Sequence, residues 1–132
     1  MKTTGYEKAA AALGLLAVAL GAFGAHALRD MLADNASADI WRTAVLYHFI
    51  HAVMAYVIAL RTQVINRIAW WSFCTGIVLF SGSLYVMSVT QWKWLGPITP
   101  LGGVAFMVGW GRLLWSQRSS KSMDNSDSDE LA

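Results

Sequence analysis

The distribution of charge constrains this chain more than any other feature. Four stretches carry no Asp, Glu, Lys or Arg: Ala9 to Leu28, Thr43 to Leu60, Ile68 to Trp92 and Trp94 to Gly111, with lengths of 20, 18, 25 and 18 residues. An α-helix rises about 1.5 Å per residue, so each stretch is long enough to approach or exceed the roughly 30 Å of a bilayer's hydrocarbon core. Lipid offers the backbone no hydrogen-bond partners, which leaves helices and closed barrels as the spanning structures. Barrel strands alternate with period two, and these continuous apolar runs do not. The expected fold is therefore an all-α membrane protein, a four-helix transmembrane bundle with spans at about 9–28, 43–60, 68–89 and 96–115. Residues 1–118 form its single domain. Only 14% of the 132 residues are charged, against roughly 25% in soluble domains, which points the same way.

Orientation follows from the basic residues, because cytoplasmic loops retain Lys and Arg. In this threading one side holds Lys2, Lys8, Arg61, Arg67, Arg112, Arg118 and Lys121, and the other Arg29, Arg42 and Lys93. Both termini are thus expected in the cytoplasm. Tryptophan favours the headgroup region, where its N–H stays wet. Trp41, Trp92 and Trp94 fall at the outer ends, and Trp70, Trp71, Trp110 and Trp115 at or near the inner ones. A rival reading takes Lys2 and Lys8, the first apolar run and Ala25-His26-Ala27 as a cleaved signal peptide. The run is longer than the usual 7 to 15 residues, and no exported soluble domain follows it.

Beyond Lys121 the chain reads Ser122-Met123-Asp124-Asn125-Ser126-Asp127-Ser128-Asp129-Glu130, polar and acidic. Too little apolar surface is present to offset ordering entropy, so residues 119–132 are expected to form a disordered tail. In the outer loop, Leu28, Met31 and Leu32 fall at helical spacing, which suggests a short amphipathic helix on the membrane surface. The single cysteine, Cys74, excludes an internal disulfide and any one-chain thiolate zinc site. A net charge of +2 without a basic stripe gives no reason to expect a nucleic-acid partner. No glycine-rich phosphate loop or complete catalytic constellation is present, and no cofactor is implied.

Helices in lipid associate through close packing, so small residues at regular spacing mark contact faces. Ala10, Gly14, Ala17, Gly21 and Gly24 form one such seam on the first span; Gly102, Ala105 and Gly109 form a shorter one on the fourth. On the third span Cys74, Ser81, Tyr85 and Ser88 share a face that would be costly against lipid. Hydrogen bonding between helices is the commoner role for such a stripe. His48 and His51 lie three apart on the second span, roughly 8 and 12 Å inside its outer end, and His26 closes the first. Antiparallel packing would bring these three to similar depth beside Tyr47, Tyr85 and Ser88. Ionisable groups in a membrane carry a functional hypothesis, here proton handling or metal or haem ligation. Two imidazoles without a nearby carboxylate make an incomplete metal site. Before the fourth span, Gly96-Pro97-Ile98-Thr99-Pro100-Leu101-Gly102 forbids regular helix throughout, and Thr99 as N-cap with Pro100 next is the natural start.

Several blocks together resemble a known family. They are Gly21-Ala22-Phe23-Gly24-Ala25-His26, Tyr47 with His51, Leu79-Phe80-Ser81-Gly82-Ser83-Leu84-Tyr85, and Thr99-Pro100-Leu101-Gly102-Gly103. The chain is similar in these to the domain-of-unknown-function 423 family of small bacterial inner-membrane proteins (transmembrane protein 256-like). The resemblance covers all four spans and implies the fold, but no substrate or reaction. His48 departs from the family pattern, in which this position carries glutamine, so a two-histidine site would not be a device of the whole family. His26 and His51 match it, alongside Tyr85 and Ser81.

The candidate polar cluster is therefore His26, His48, His51, Tyr47, Ser81, Tyr85, Ser88 and Thr99. The expected role is a structural or accessory membrane component that packs with itself or with a larger complex. The alternatives are a small transporter or proton-conducting module, and a metal- or haem-binding membrane protein.

Overall fold

The computed structural model describes residues 5–33, 35–61 and 66–130, with side chains as far as Ser116 except that of Asn35. Its helices are α1 (Gly5–Ala25), α2 (Asn35–Leu60), α3 (Arg67–Gly76), α4 (Gly82–Thr90) and α5 (Ile98–Glu130). A π-helical turn, Ile77–Ser81, joins α3 to α4, so these two form one rod; a 3-10 turn, Lys93–Leu95, precedes α5. No strand occurs among the described residues. Three rods are long and apolar enough to cross a membrane: Gly5–Ala25, Ala36–Leu60 and Arg67–Thr90. The fourth, α5, is longer, but its apolar part ends near Trp115 and covers only about 25 Å.

Successive rods run antiparallel. The start of α1 lies beside the start of α3, with the Tyr6 and Trp70 rings 4.9 Å apart. At the other end Gly24 of α1 meets Trp41 of α2, and Gln91 reaches Ser37. One end of the bundle therefore gathers Lys8, Arg61, Arg67 and Arg112, and the opposite end Arg29, Arg42 and Lys93. Lys2 is outside the described residues, as are the side chains of Arg118 and Lys121. Helix α2 is the hub, packed against α1 on one side and the α3–α4 rod on the other; α5 packs mainly on α3 and the π turn. The core lies towards the α1 start, where Ala10, Ala52, Ala55, Ile58, Ala59, Ala69, Trp70, Phe73, Ile77 and Phe106 are buried together.

The α3–α5 contact shows how glycine is used. A Cβ on Gly109 would collide with the Phe73 ring, and one on Gly76 with the Phe106 ring. Each helix thus supplies a glycine where the other inserts a phenylalanine. A Cβ on Gly102 would strike the Phe80 backbone itself, so α5 approaches the π turn closely. Within that turn the Gly82 amide bonds the Ile77 carbonyl, five residues back. The wider turn makes a step of four close to one revolution. Phe73, Ile77 and Ser81 consequently stay on the buried side.

The structure corrects several sequence expectations. Residues 26–32 form hydrogen-bonded turns instead of an interfacial helix, with Leu28 N–H on the Phe23 carbonyl and Leu32 N–H on the Leu28 carbonyl, both at 2.9 Å. Leu32 is buried, while Met31 is exposed. Helix α2 begins at Asn35, two turns before the expected span, and Trp41 within that extension packs on Gly24 of α1. Helix α5 starts at Ile98, one residue before the expected cap, and Thr99 turns its hydroxyl to another helix. Backbone helix is described as far as Glu130, beyond residue 119 where the tail is expected to begin. Residues 131 and 132 are outside the described set.

Candidate functional site

The expected cluster divides into separate hydrogen-bonded nodes. His51 is buried on α2 and stacks on Phe106, with centroids 3.6 Å apart and planes 12° from parallel. Its Nδ1 lies 2.7 Å from the Tyr47 carbonyl oxygen, and the Trp110 indole N–H donates to its Nε2 at 3.3 Å. A carbonyl only accepts and an indole N–H only donates. His51 must therefore carry its proton on Nδ1 and keep Nε2 as acceptor, a neutral tautomer with both nitrogens engaged. This node ties α2 to α5.

His48 faces elsewhere. It is 2% exposed, and its Nδ1 lies 3.2 Å from the Tyr85 hydroxyl of α4. Nε2 is buried and makes no hydrogen bond among the described residues. Tyr85 also packs on Trp41, 4.7 Å between centroids, and the Trp41 indole N–H donates to the Leu20 carbonyl at 3.0 Å. Helices α1, α2 and α4 thus meet around Trp41, Tyr85 and His48.

The hydroxyl groups serve contacts within and between helices. Ser83 donates to the Phe80 carbonyl at 2.9 Å and lies 2.7 Å from Thr99 Oγ1. With the Ser83 proton so directed, Thr99 is the donor in the second bond, which joins α4 to α5. Ser88 donates to the Tyr85 carbonyl at 2.8 Å. The Gln91 amide donates to Ser37 at 2.6 Å and to the Ser88 carbonyl at 3.3 Å, closing the start of α2 on the end of α4. Gln91 has φ of 60°, the left-handed conformation that ends α4. Ser81 Oγ and Trp70 Nε1 are buried without a hydrogen-bond partner among the described residues.

His26 stands apart. It lies in the exposed turn after α1, and its backbone N–H bonds the Ala22 and Phe23 carbonyls. Tyr47 packs on Phe80 at 4.5 Å, and its ring runs nearly parallel to His51 at 5.9 Å. Among the described residues, no three His, Cys, Asp or Glu side chains gather in a way that could hold a metal ion. A hollow of about 1110 Å³ instead opens sideways between α1 and α2 at the Trp41 end, and a shallower one lies around Trp71 and Val108. Neither is lined by His48, His51 or Tyr85.

Sequence reasoning did not single out Phe73, Gly76, Phe106, Trp110, Ser83, Ser37 or Gln91 for these contacts. Trp41, Trp70 and Trp110 were assigned to the membrane interface by their place near span ends. Trp41 and Trp70 are buried, and Trp110 bonds His51. In the α1 seam, Ala10 and Ala17 are buried, a Cβ on Gly21 would lie 3.3 Å from Val45 Cγ1, and Gly24 lies on Trp41. Gly14 has nothing within 4 Å of such a Cβ.

Relatives put this architecture in context. The chain is similar to the UPF0382 membrane protein YwdK of Bacillus subtilis (strain 168), 50% identical over 101 residues that cover 73% of this chain and 81% of the relative. A UPF0382 membrane protein of Haemophilus influenzae is 37% identical over 113 residues, covering 83% of this chain and 90% of that protein. UPF0382 membrane protein C1782.12c of Schizosaccharomyces pombe is 34% identical over 112 residues, 80% of this chain and 94% of its own length. No solved structure matches. Residues 20–103 match the family described as "Protein of unknown function (DUF423)". With its apolar helical rods and these membrane-protein relatives, the chain belongs to the DUF423 family of membrane proteins, whose biochemical activity is not established.

Proposed function

We propose that this chain is a structural or accessory component of the membrane, a four-span bundle whose outward faces pack with a partner. The observation carrying this reading is the use of its inward polar groups. His51 with Trp110, His48 with Tyr85, Ser83 with Thr99 and Gln91 with Ser37 each join two helices. Polar side chains so placed act as interhelical glue, worth about 0.6 kcal/mol per bond on average. The fourth span is α5 from Ile98 to about Trp115, shorter than the rest because the 3-10 turn and Gly96-Pro97 complete the crossing beside α4.

Both termini lie in the cytoplasm in this reading, supported by the excess of Lys and Arg at the end holding the α1 start and the α2 end. The bacterial relatives support the inner (plasma) membrane as its location. Crosslinking of the full chain in native membranes tests the role: a discrete adduct with a second copy or another membrane protein is expected, and monomer alone overturns it. Reporter fusions at the two ends test the threading; opposite compartments would sink it.

A second reading is favoured by one observation, the buried Nε2 of His48 without a bond. Such a nitrogen could take part in proton handling together with Tyr85. Proton flux through reconstituted vesicles between pH 5 and 8, lost in His48→Gln, would replace the accessory role with this one. Absence of flux removes it.

A further inference from the structure

A hollow of the described surface lies between α1 and α2, where the seam of small residues runs out towards the turns. Its floor is Ala17, Gly21, Gly24 and Trp41; Val18, Leu46 and Phe49 flank it, and Arg29, Asp30 and Arg42 stand at one end. Val18, Leu46 and Phe49 are exposed, so the groove opens to whatever surrounds the bundle. Its volume of about 1110 Å³ exceeds the roughly 300–1,000 Å³ of most small-molecule sites.

Three features identify the occupant. Along α2 the lining runs from Ala38 to Phe49, about 17 Å at the standard rise, close to the roughly 15 Å depth of one leaflet's hydrocarbon. The groove is apolar along its length and ionic only at the end nearest the turns, the profile of an acyl chain joined to a headgroup. The rim also carries both signs. Arg42 is held by Asp39 through one 3.2 Å contact, which leaves most of its five N–H donors for another acceptor. Arg29 has no ion pair among the described residues, and Asp30 stands beside it. A purely anionic headgroup would meet Asp30 as well as the arginines, whereas one carrying a phosphodiester and an ammonium matches this alternation.

We propose that the α1–α2 groove binds a glycerophospholipid with a primary-ammonium headgroup. One acyl chain lies along the floor, the phosphodiester sits at Arg29 and Arg42, and the ammonium donates to Asp30. The inference rests on the accessory reading only in taking this face to be turned to the membrane.

The test is native mass spectrometry of the full chain in non-ionic detergent, with added phosphatidylethanolamine, phosphatidylcholine or phosphatidylglycerol of identical acyl chains. The expected result is one phosphatidylethanolamine per chain, retained about 5-fold over the other two, the selectivity of a single surface ion pair. Asp30→Asn should reduce phosphatidylethanolamine to the phosphatidylcholine level. R29Q with R42Q should weaken all three, and Ala25→Trp, which fills the groove, should abolish the adduct. Equal retention of the three lipids overturns the proposal, as does preference for phosphatidylglycerol or an adduct that survives Ala25→Trp. A dimer that Ala25→Trp dissociates, without change in bound lipid, assigns the groove to a second copy instead. Should Ala25→Trp misfold, Asp30→Asn in the exposed turn still decides the matter. Vesicle flux would end the accessory reading yet leave headgroup selectivity standing, and equal retention would end this inference yet leave crosslinked partners standing.

Discussion

The α1–α2 and α3–α5 contacts begin from the same material and finish differently. Both use small residues spaced by about one or two helical turns. Between α3 and α5 each glycine receives a phenylalanine from the opposite helix, and Gly102 brings α5 onto the Phe80 backbone. Between α1 and α2 the knobs are fewer: Trp41 covers Gly24 and Val45 approaches Gly21, but Gly14 meets nothing within 4 Å, and a hollow remains beside them. A small-residue seam thus permits close approach without dictating what fills it. Large side chains on the partner turn a seam into an interlock; their absence leaves a groove.

Four substitutions would break or sharpen this contrast. Phe106→Ala should be the most damaging, because it empties the space over Gly76 and removes the ring stacked on His51. About 3–5 kcal/mol is expected by analogy with soluble cores, measurable as a shift of the unfolding midpoint in SDS titration. Gly102→Leu comes next: the side chain must displace the Phe80 backbone, for an overpacking cost of about 1–3 kcal/mol, with a lower melting temperature in detergent. Gly14→Ala should have the opposite sign. Its Cβ enters open space, so the helix gains up to about 0.8–1 kcal/mol of propensity and the melting temperature rises. A fall would mean that α1 packs more tightly than the groove implies. Trp110→Phe is the smallest, near 0.6 kcal/mol, since it deletes one bond to His51 and keeps an aromatic ring. Double-mutant analysis with His51→Phe should show coupling of that size; no coupling would mean that the bond contributes nothing.

Much of the fold is legible in the amino-acid sequence. The charge-free runs marked the rods, and the small residues of α1 marked the side facing α2. The candidate site was less legible. His48 and His51 share a helix and a spacing, yet one turns to Tyr85 and the other to Trp110, because different rods flank α2 on its two sides. His26 is separated from both by the turns that end α1. The wide turn at Ile77–Ser81 has no local signature that we can name. Trp41 and Trp70 read as interface anchors because hydropathy and position near a span end do not encode which way an indole points.

The amino-acid sequence by itself determined that the chain is helical and embedded, because unbroken apolar runs leave the backbone no other way to satisfy its hydrogen bonds in lipid. It also marked where close helix contact is sterically allowed. Only the tertiary structure decided which phenylalanine enters which glycine notch, which partner each imidazole takes, and where the hollow remains. Those outcomes depend on the rotation and registry of whole helices, properties set by the sum of contacts between rods and not by the spacing of residues along one of them.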